Sequence, residues 1–181
     1  MKKSDINPMP EYFDRYINLV ADVELAQAFD DSIRQLDELD VNLLEKIGGE
    51  KTPVDKWTAK EILQHVIDWE RILTYRTMLF ARREGFIPQD IDQNRLTANM
   101  NAEKRSVDDL IAELKAVRLS SKALFDSFDN ETMLLKGTNW KYEVSVLALG
   151  FALIGHQIHH LKIIKENYLQ PLAQNSLNLD S

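Results

Sequence analysis

The sequence predicts an all-α protein, a four-helix bundle with one long crossover connection, and three observations lead there. Apolar residues recur at helical spacing through most of the 181 residues. Glycine and proline are scarce, at 6 and 5. Alternating runs of Val, Ile, Thr and aromatic residues, the mark of half-buried strands, are lacking. The length is that of one domain, and a chain of this size buries a core without disulfides or a structural metal.

The first helical region runs from about Glu11 to Ile47, with a bend near Ala21 and Asp22. Leu25, Phe29, Ile33, Leu36, Leu39, Leu43 and Ile47 mark one face of it, and Gly48-Gly49 stops it. Residues 50–57, with Pro53, form a loop. Thr58 stands three residues before Glu61, a capping-box spacing, so a second helix starts there. It runs through Ile62, Trp69, Leu73 and Phe80 to about Glu84, where Gly85 and Pro88 end it. Residues 85–105 are polar and irregular, with a short helical piece over Ile91 to Asn99. A connection this long reads as a crossover and a lid. Ser106 followed by Asp109 starts a third helix, which Leu110, Ile111, Leu114, Val117 and Leu124 carry to about Phe128. Asn130 to Tyr142 reads as a loop. A fourth helix begins near Glu143 to Ser145 and reaches about Tyr168, with Pro171 beyond it. Residues 169–181 are expected to be a disordered tail, which leaves a single-domain core over about 11–168.

Composition narrows the function. Lys and Arg total 22 against 29 Asp and Glu, for a net charge of −7 with no basic cluster, which argues against nucleic-acid binding. Val144 to Leu161 carries no Asp, Glu, Lys or Arg, but His156, Gln157, His159 and His160 would be costly in lipid. That stretch therefore reads as a buried helix rather than a membrane span. The first ten residues hold no apolar signal-peptide core, so a cytoplasmic location is expected. The absence of cysteine rules out thiolate metal sites, iron–sulfur clusters and a cysteine nucleophile, and any thiol would have to come from outside.

Histidine is the informative residue. Three of the four lie in Gly155-His156-Gln157-Ile158-His159-His160, and His65 is on the second helix. The core stripe of the fourth helix steps through Val146, Leu149, Leu153, His156, His160, Ile163 and Asn167, so His156 and His160 point inward. His159 falls on a neighbouring row that drifts to the polar side. Two histidines at i and i+4 are close enough to hold one ion, although such pairs also arise by chance in buried helices. His65, between Ile62 and Trp69, offers a third imidazole, but spacing alone does not attach it to the pair. Three imidazoles would form an open site with room for water or substrate, suited to Zn, Ni, Cu or Fe.

Lys56-Trp57-Thr58-Ala59-Lys60-Glu61-Ile62-Leu63-Gln64-His65-Val66-Ile67-Asp68-Trp69-Glu70-Arg71 resembles the "KWT..E.L.H..D.ER" stretch of the DinB-like superfamily. Gly155 to Leu161 resembles its "GH..HH" segment. Tyr12-Phe13, Tyr16-Ile17 and Tyr75-Arg76 also fit, and the resemblance spans about residues 11–168. It implies a four-helix bundle with a long crossover, frequent homodimers, and a divalent metal held by His65, His156 and His160, with zinc or nickel leading. Activities implied by the resemblance include transfer of a low-molecular-weight thiol such as bacillithiol to electrophiles, a mycothiol-dependent isomerisation, and metal-dependent hydrolysis. Metal-activated thiol transfer to a small-molecule substrate is the leading expectation. Hydrolysis comes next, and a non-catalytic metal-binding bundle is the alternative.

Other residues are weighed against plainer roles. Asp68 and Glu70 flank His65, and either carboxylate could accept its free ring N–H, although both, with Arg71, read better as helix-surface pairs. Arg76 extends the His65 row inward and is, with Asp68, a candidate catalytic or substrate-binding residue. Arg71, Arg82 and Arg83 are weaker candidates for holding an anionic group. Tyr75, Trp57 and Trp69 read as core packing first. Asp90, Asp92 and Asn94 could border the pocket or simply serve turns and caps.

Overall fold

The computed structural model describes residues 1–51, 57–84 and 90–170. Its helices are α1 (Asp14–Ile17), α2 (Leu25–Asp37), α3 (Val41–Ile47), α4 (Ala59–Ala81), α5 (Gln93–Ala98), α6 (Val107–Asp126), α7 (Asn130–Met133) and α8 (Val146–Ile164). The long helices α2, α4, α6 and α8 form the bundle. Helix α4 packs on α6 and α8, and α2 packs on the same two, which puts α2 and α4 at opposite corners. The long segment between α4 and α6 thus joins neighbouring helices, while the α2–α4 and α6–α8 connections run between opposite corners.

The two expected caps form, at Thr58 and Ser106, and Ser145 caps the fourth long helix as well. Thr58 Oγ1 accepts from the Glu61 N–H at 3.1 Å while Glu61 Oε2 accepts from the Thr58 N–H at 2.6 Å, closing the capping box. Ser106 and Ser145 each accept from the N–H three residues on, at 3.1 Å. Helix α8 is long and apolar enough to cross a membrane by length and composition, but 72% of its most apolar window is buried inside the protein. Beyond Ile164 the chain continues as a π-helical turn over Lys165–Leu169.

Two expectations are corrected. The first helical region is three helices rather than one bent helix, because local caps compete with propagation. Asp40 accepts from the Leu43 N–H at 3.0 Å and starts α3 afresh. The expected loop over 130–142 contains helix α7 and strand β1 (Lys136–Asn139), which pairs antiparallel with β2 (Tyr142–Ser145). Helix α4 ends at Ala81, with Arg83 in the left-handed conformation (φ 57°) and the Glu84 N–H bonded to the Leu79 carbonyl at 2.9 Å. The tail expected from residue 169 does not begin there, because Leu169 and Gln170 still continue the helix; its remainder from Pro171 onward, the stop expected at Gly85 and Pro88, and the loop around Pro53 lie outside the described residues.

The apolar interior has two parts. One gathers Ile17, Phe29, Phe125 and Phe151 among α1, α2, α6 and the first half of α8. The other gathers Leu44, Leu63, Leu110 and Ile164 around α3, the start of α4 and the start of α6. Helix α8 takes part in both, and its histidines lie between.

Candidate metal centre

Helix α4 supplies His65, and α8 supplies His156 and His160 one turn apart. Their Nε2 atoms converge, with His65 to His156 at 3.2 Å and His160 to His156 at 3.1 Å. One nitrogen from each ring lies within 4.8 Å of the other two. These separations are close to the roughly 3.3 Å edge of a tetrahedron with zinc–nitrogen bonds of about 2.0–2.1 Å. The three residues are 3%, 8% and 8% exposed. The Nδ1 atoms of His65 and His160 are buried with no hydrogen-bond partner among the described residues.

Burial first, and the neighbouring imidazoles second, disfavour the charged rings. Burial and the charge of His159 push His65 down to about 4. Burial, then His65 and His159, push His160 down to about 3. His156, the most enclosed, is held well below the ordinary histidine value by burial and then by His160 and His65. All three are therefore neutral at pH 7, the form that binds a cation. His159, on the adjacent row, sits at the rim with its ring 5.4 Å from that of Tyr16.

The cluster forms the floor of a cavity of about 540 Å³, a size suited to a small organic molecule. Arg76 and Trp69 from α4, Tyr12 and Tyr16 near α1, and Asn139 and Trp140 from the hairpin line its walls. The segment between α4 and α6, expected to be the crossover but joining neighbouring helices, contributes Asp90, Ile91 and Gln93. The Trp57 ring centroid lies 4.7 Å from that of His65, and the Tyr16 ring stands edge-on to His156 at 5.2 Å. Gly155 lets the α1 segment approach, because a Cβ there would fall 2.0 Å from the Tyr16 carbonyl oxygen.

The other singled-out residues divide plainly. Arg76 is buried in the cavity wall and donates to Asn139 Oδ1. Asp68 stands apart from the histidines: it accepts from Gln64 Nε2 at 2.9 Å and lines a neighbouring groove with Asp92 and Arg95. Glu70 is not a surface pair. It is 1% exposed and bonded to the fully buried Arg118 at 2.8 Å, a partner the helical spacing of α4 does not reveal. Arg71 pairs with Glu113 at 2.6 Å and Arg83 with Glu131 at 2.8 Å, both outside the cavity, and Arg82 lies over the Phe128 ring. Tyr75, expected in the core, is 50% exposed because it falls off the His65 row of α4. Asp92 caps α5 through the N–H groups of Asn94 and Arg95. Sequence reasoning missed the cavity roles of Tyr12, Tyr16, Asn139 and Trp140. The two tyrosines stood in the family resemblance without a role, and Asn139 and Trp140 carried no periodic signal.

The fold and site define a helical-bundle protein with three neutral histidines, a donor set that could hold a metal ion, at the floor of an aromatic-walled cavity. Residues 14–164 match the DinB superfamily, and the chain belongs to that family. Among solved structures, it is similar to YfiT from Bacillus subtilis, with a TM-score of 0.65 and 15% identity. The match covers 90% of this chain and 87% of that one. YfiT is described as a probable metal-dependent hydrolase with an unusual four-helix bundle topology. The search of curated proteins finds no match.

Proposed function

We propose that the protein is a metal-dependent enzyme in which His65, His156 and His160 hold one divalent ion, zinc or nickel, and a small organic substrate occupies the cavity above it. The observation that carries this reading is the convergence of three buried, neutral imidazoles beneath that cavity, with the His65 and His160 Nε2 atoms 3.2 and 3.1 Å from that of His156 and all three ligand nitrogens within 4.8 Å of one another. When bound, such an ion lowers the pKa of a water or thiol so that a nucleophile exists at neutral pH. The chain's own residues do the rest. The histidines stay deprotonated, Trp57 and Trp69 pack beside His65, and Arg76 supplies a cation in the wall.

Hydrolysis is the leading reaction, supported by the description of YfiT and by three protein ligands that leave coordination positions open. Transfer of an external low-molecular-weight thiol is the second reading; it rests on the family resemblance, and the thiol would come from outside because the sequence has no cysteine. A cytoplasmic homodimer belongs to this proposal, and sedimentation of the purified protein tests the assembly.

Metal content per chain, on protein purified without a nickel column, tests the centre. One ion per chain in the wild type, lost in both His65→Ala and His156→Ala, supports it. No ion, with no uptake of added Zn²⁺ or Ni²⁺, overturns it. Products from ester and epoxide substrates, incubated with and without thiol, then separate the reactions. Thiol conjugate formed no faster than without protein removes the transfer reading for those pairs.

A further inference from the structure

The hairpin tip holds a residue the turn does not favour. Trp140 and Lys141 form the two-residue turn between β1 and β2, and Trp140 has φ 58°. Two-residue turns with positive φ at the first position alone favour glycine there, where a side chain crowds the backbone. Tyr12, whose ring lies 5.4 Å from that of Trp140, has φ 68°. Both residues line the histidine cavity. Burial does not account for the tryptophan, which is 46% exposed.

The surroundings hold both rings in place, as strained residues require. Tyr142 stacks on Tyr12 at 5.7 Å and 14°, and the Arg15 guanidinium lies 3.8 Å from the Tyr12 ring centre. Lys141 Nζ lies 4.6 Å from the Trp140 ring centre. Arg76, donating to the buried side chain of Asn139, fastens the residue before Trp140 to α4.

We propose that Trp140 with Tyr12 is the specificity-determining wall of the cavity and receives a planar aromatic group of the ligand. This deepens the reading above by naming the substrate class, and Arg76 becomes a positioning residue that acts on the wall through Asn139. Flat rings meet aromatic side chains in stacked or edge-on contact that a puckered ring of the same carbon skeleton cannot reproduce.

The test uses 2-naphthol and decahydro-2-naphthol as probes, titrated calorimetrically into the full chain, both zinc-loaded and metal-free. The expected result is about tenfold tighter binding of 2-naphthol than of its saturated analogue. Trp140→Ala loses that margin and Trp140→Phe, which keeps a flat ring, restores most of it. Trp140→Gly loses it too, yet melts about 2–4 °C above Trp140→Ala, since both lack the indole and only glycine relieves the backbone. No binding of 2-naphthol, equal binding of the two probes, wild-type affinity in Trp140→Ala, or equal melting of the Gly and Ala variants overturns the proposal. The two readings fail separately, because the metal centre is judged on metal content and the aromatic wall on probe affinity in the metal-free protein as well.

Discussion

At His65 and His160 burial away from water disfavours the charged ring, and it makes the metal-free protein acid-sensitive in a defined window. Both rings have folded-state pKa values, about 4 and about 3, below the usual histidine value of 6.5. Between those limits the unfolded chain binds more protons than the folded one, so stability falls as pH falls below about 6.5. The slope reaches about 1.4 kcal/mol per pH unit for each ring. Melting of the metal-free protein at pH 7.5 and pH 5 checks this, with a drop of several degrees expected at pH 5. Arg76→Met removes the donor to buried Asn139 and is expected to cost about 1–3 kcal/mol, read by urea denaturation. At this scale the sequence was informative where spacing speaks. His156 and His160 follow from their i, i+4 register. His65 needed the family resemblance, because a contact between two helices leaves no local trace. Arg118, the partner of Glu70, is invisible for the same reason.

Among the elements, α8 is tied to its neighbours by close backbone approach. Gly155→Ala would push a methyl group into the Tyr16 carbonyl, and backbone cannot rotate away as a side-chain tip can. A loss on the order of 3 kcal/mol is expected, with α1 displaced from the cavity, measured as a lowered melting temperature and a changed Tyr16 environment by NMR. Thr58→Ala is milder, at about 1 kcal/mol, since it removes one half of the capping box on the helix that carries His65. Caps and long amphipathic helices were legible because their signals are local: Thr58, Ser106 and Ser145 all mark true starts. The hairpin was not. Trp140-Lys141 carries no turn signature, and β1 and β2 are four residues each, too short for alternation to stand out.

Across the whole molecule, one buried guanidinium joins the four long helices. Arg118 on α6 bonds Glu70 on α4 at 2.8 Å, Ser32 Oγ on α2 at 3.2 Å and the Leu153 carbonyl on α8 at 3.4 Å. Gln157, next to His156, donates to the Ser32 carbonyl at 2.8 Å. Removing one charge strands the other, so Glu70→Leu alone is expected to cost about 3–5 kcal/mol. The pair Glu70→Leu with Arg118→Met is expected to recover much of that in chemical denaturation. The helical bundle could be read from the periodicity of its apolar residues. This clasp could not, because its members come from four helices and each looks like an ordinary polar residue in its own.

The spacing of the three Nε2 atoms also sets a preference by valence. A hydrogen held between His156 and one neighbour bridges two of the lone pairs 3.1–3.2 Å apart and leaves the third facing its fellows. A divalent ion at the proposed centre would engage all three at once. Each captured proton also repels the next across this gap, so acid must load the cluster stepwise, whereas a metal needs only a single arrival. The cavity floor therefore discriminates between its two smallest competitors by how many electron pairs each can answer.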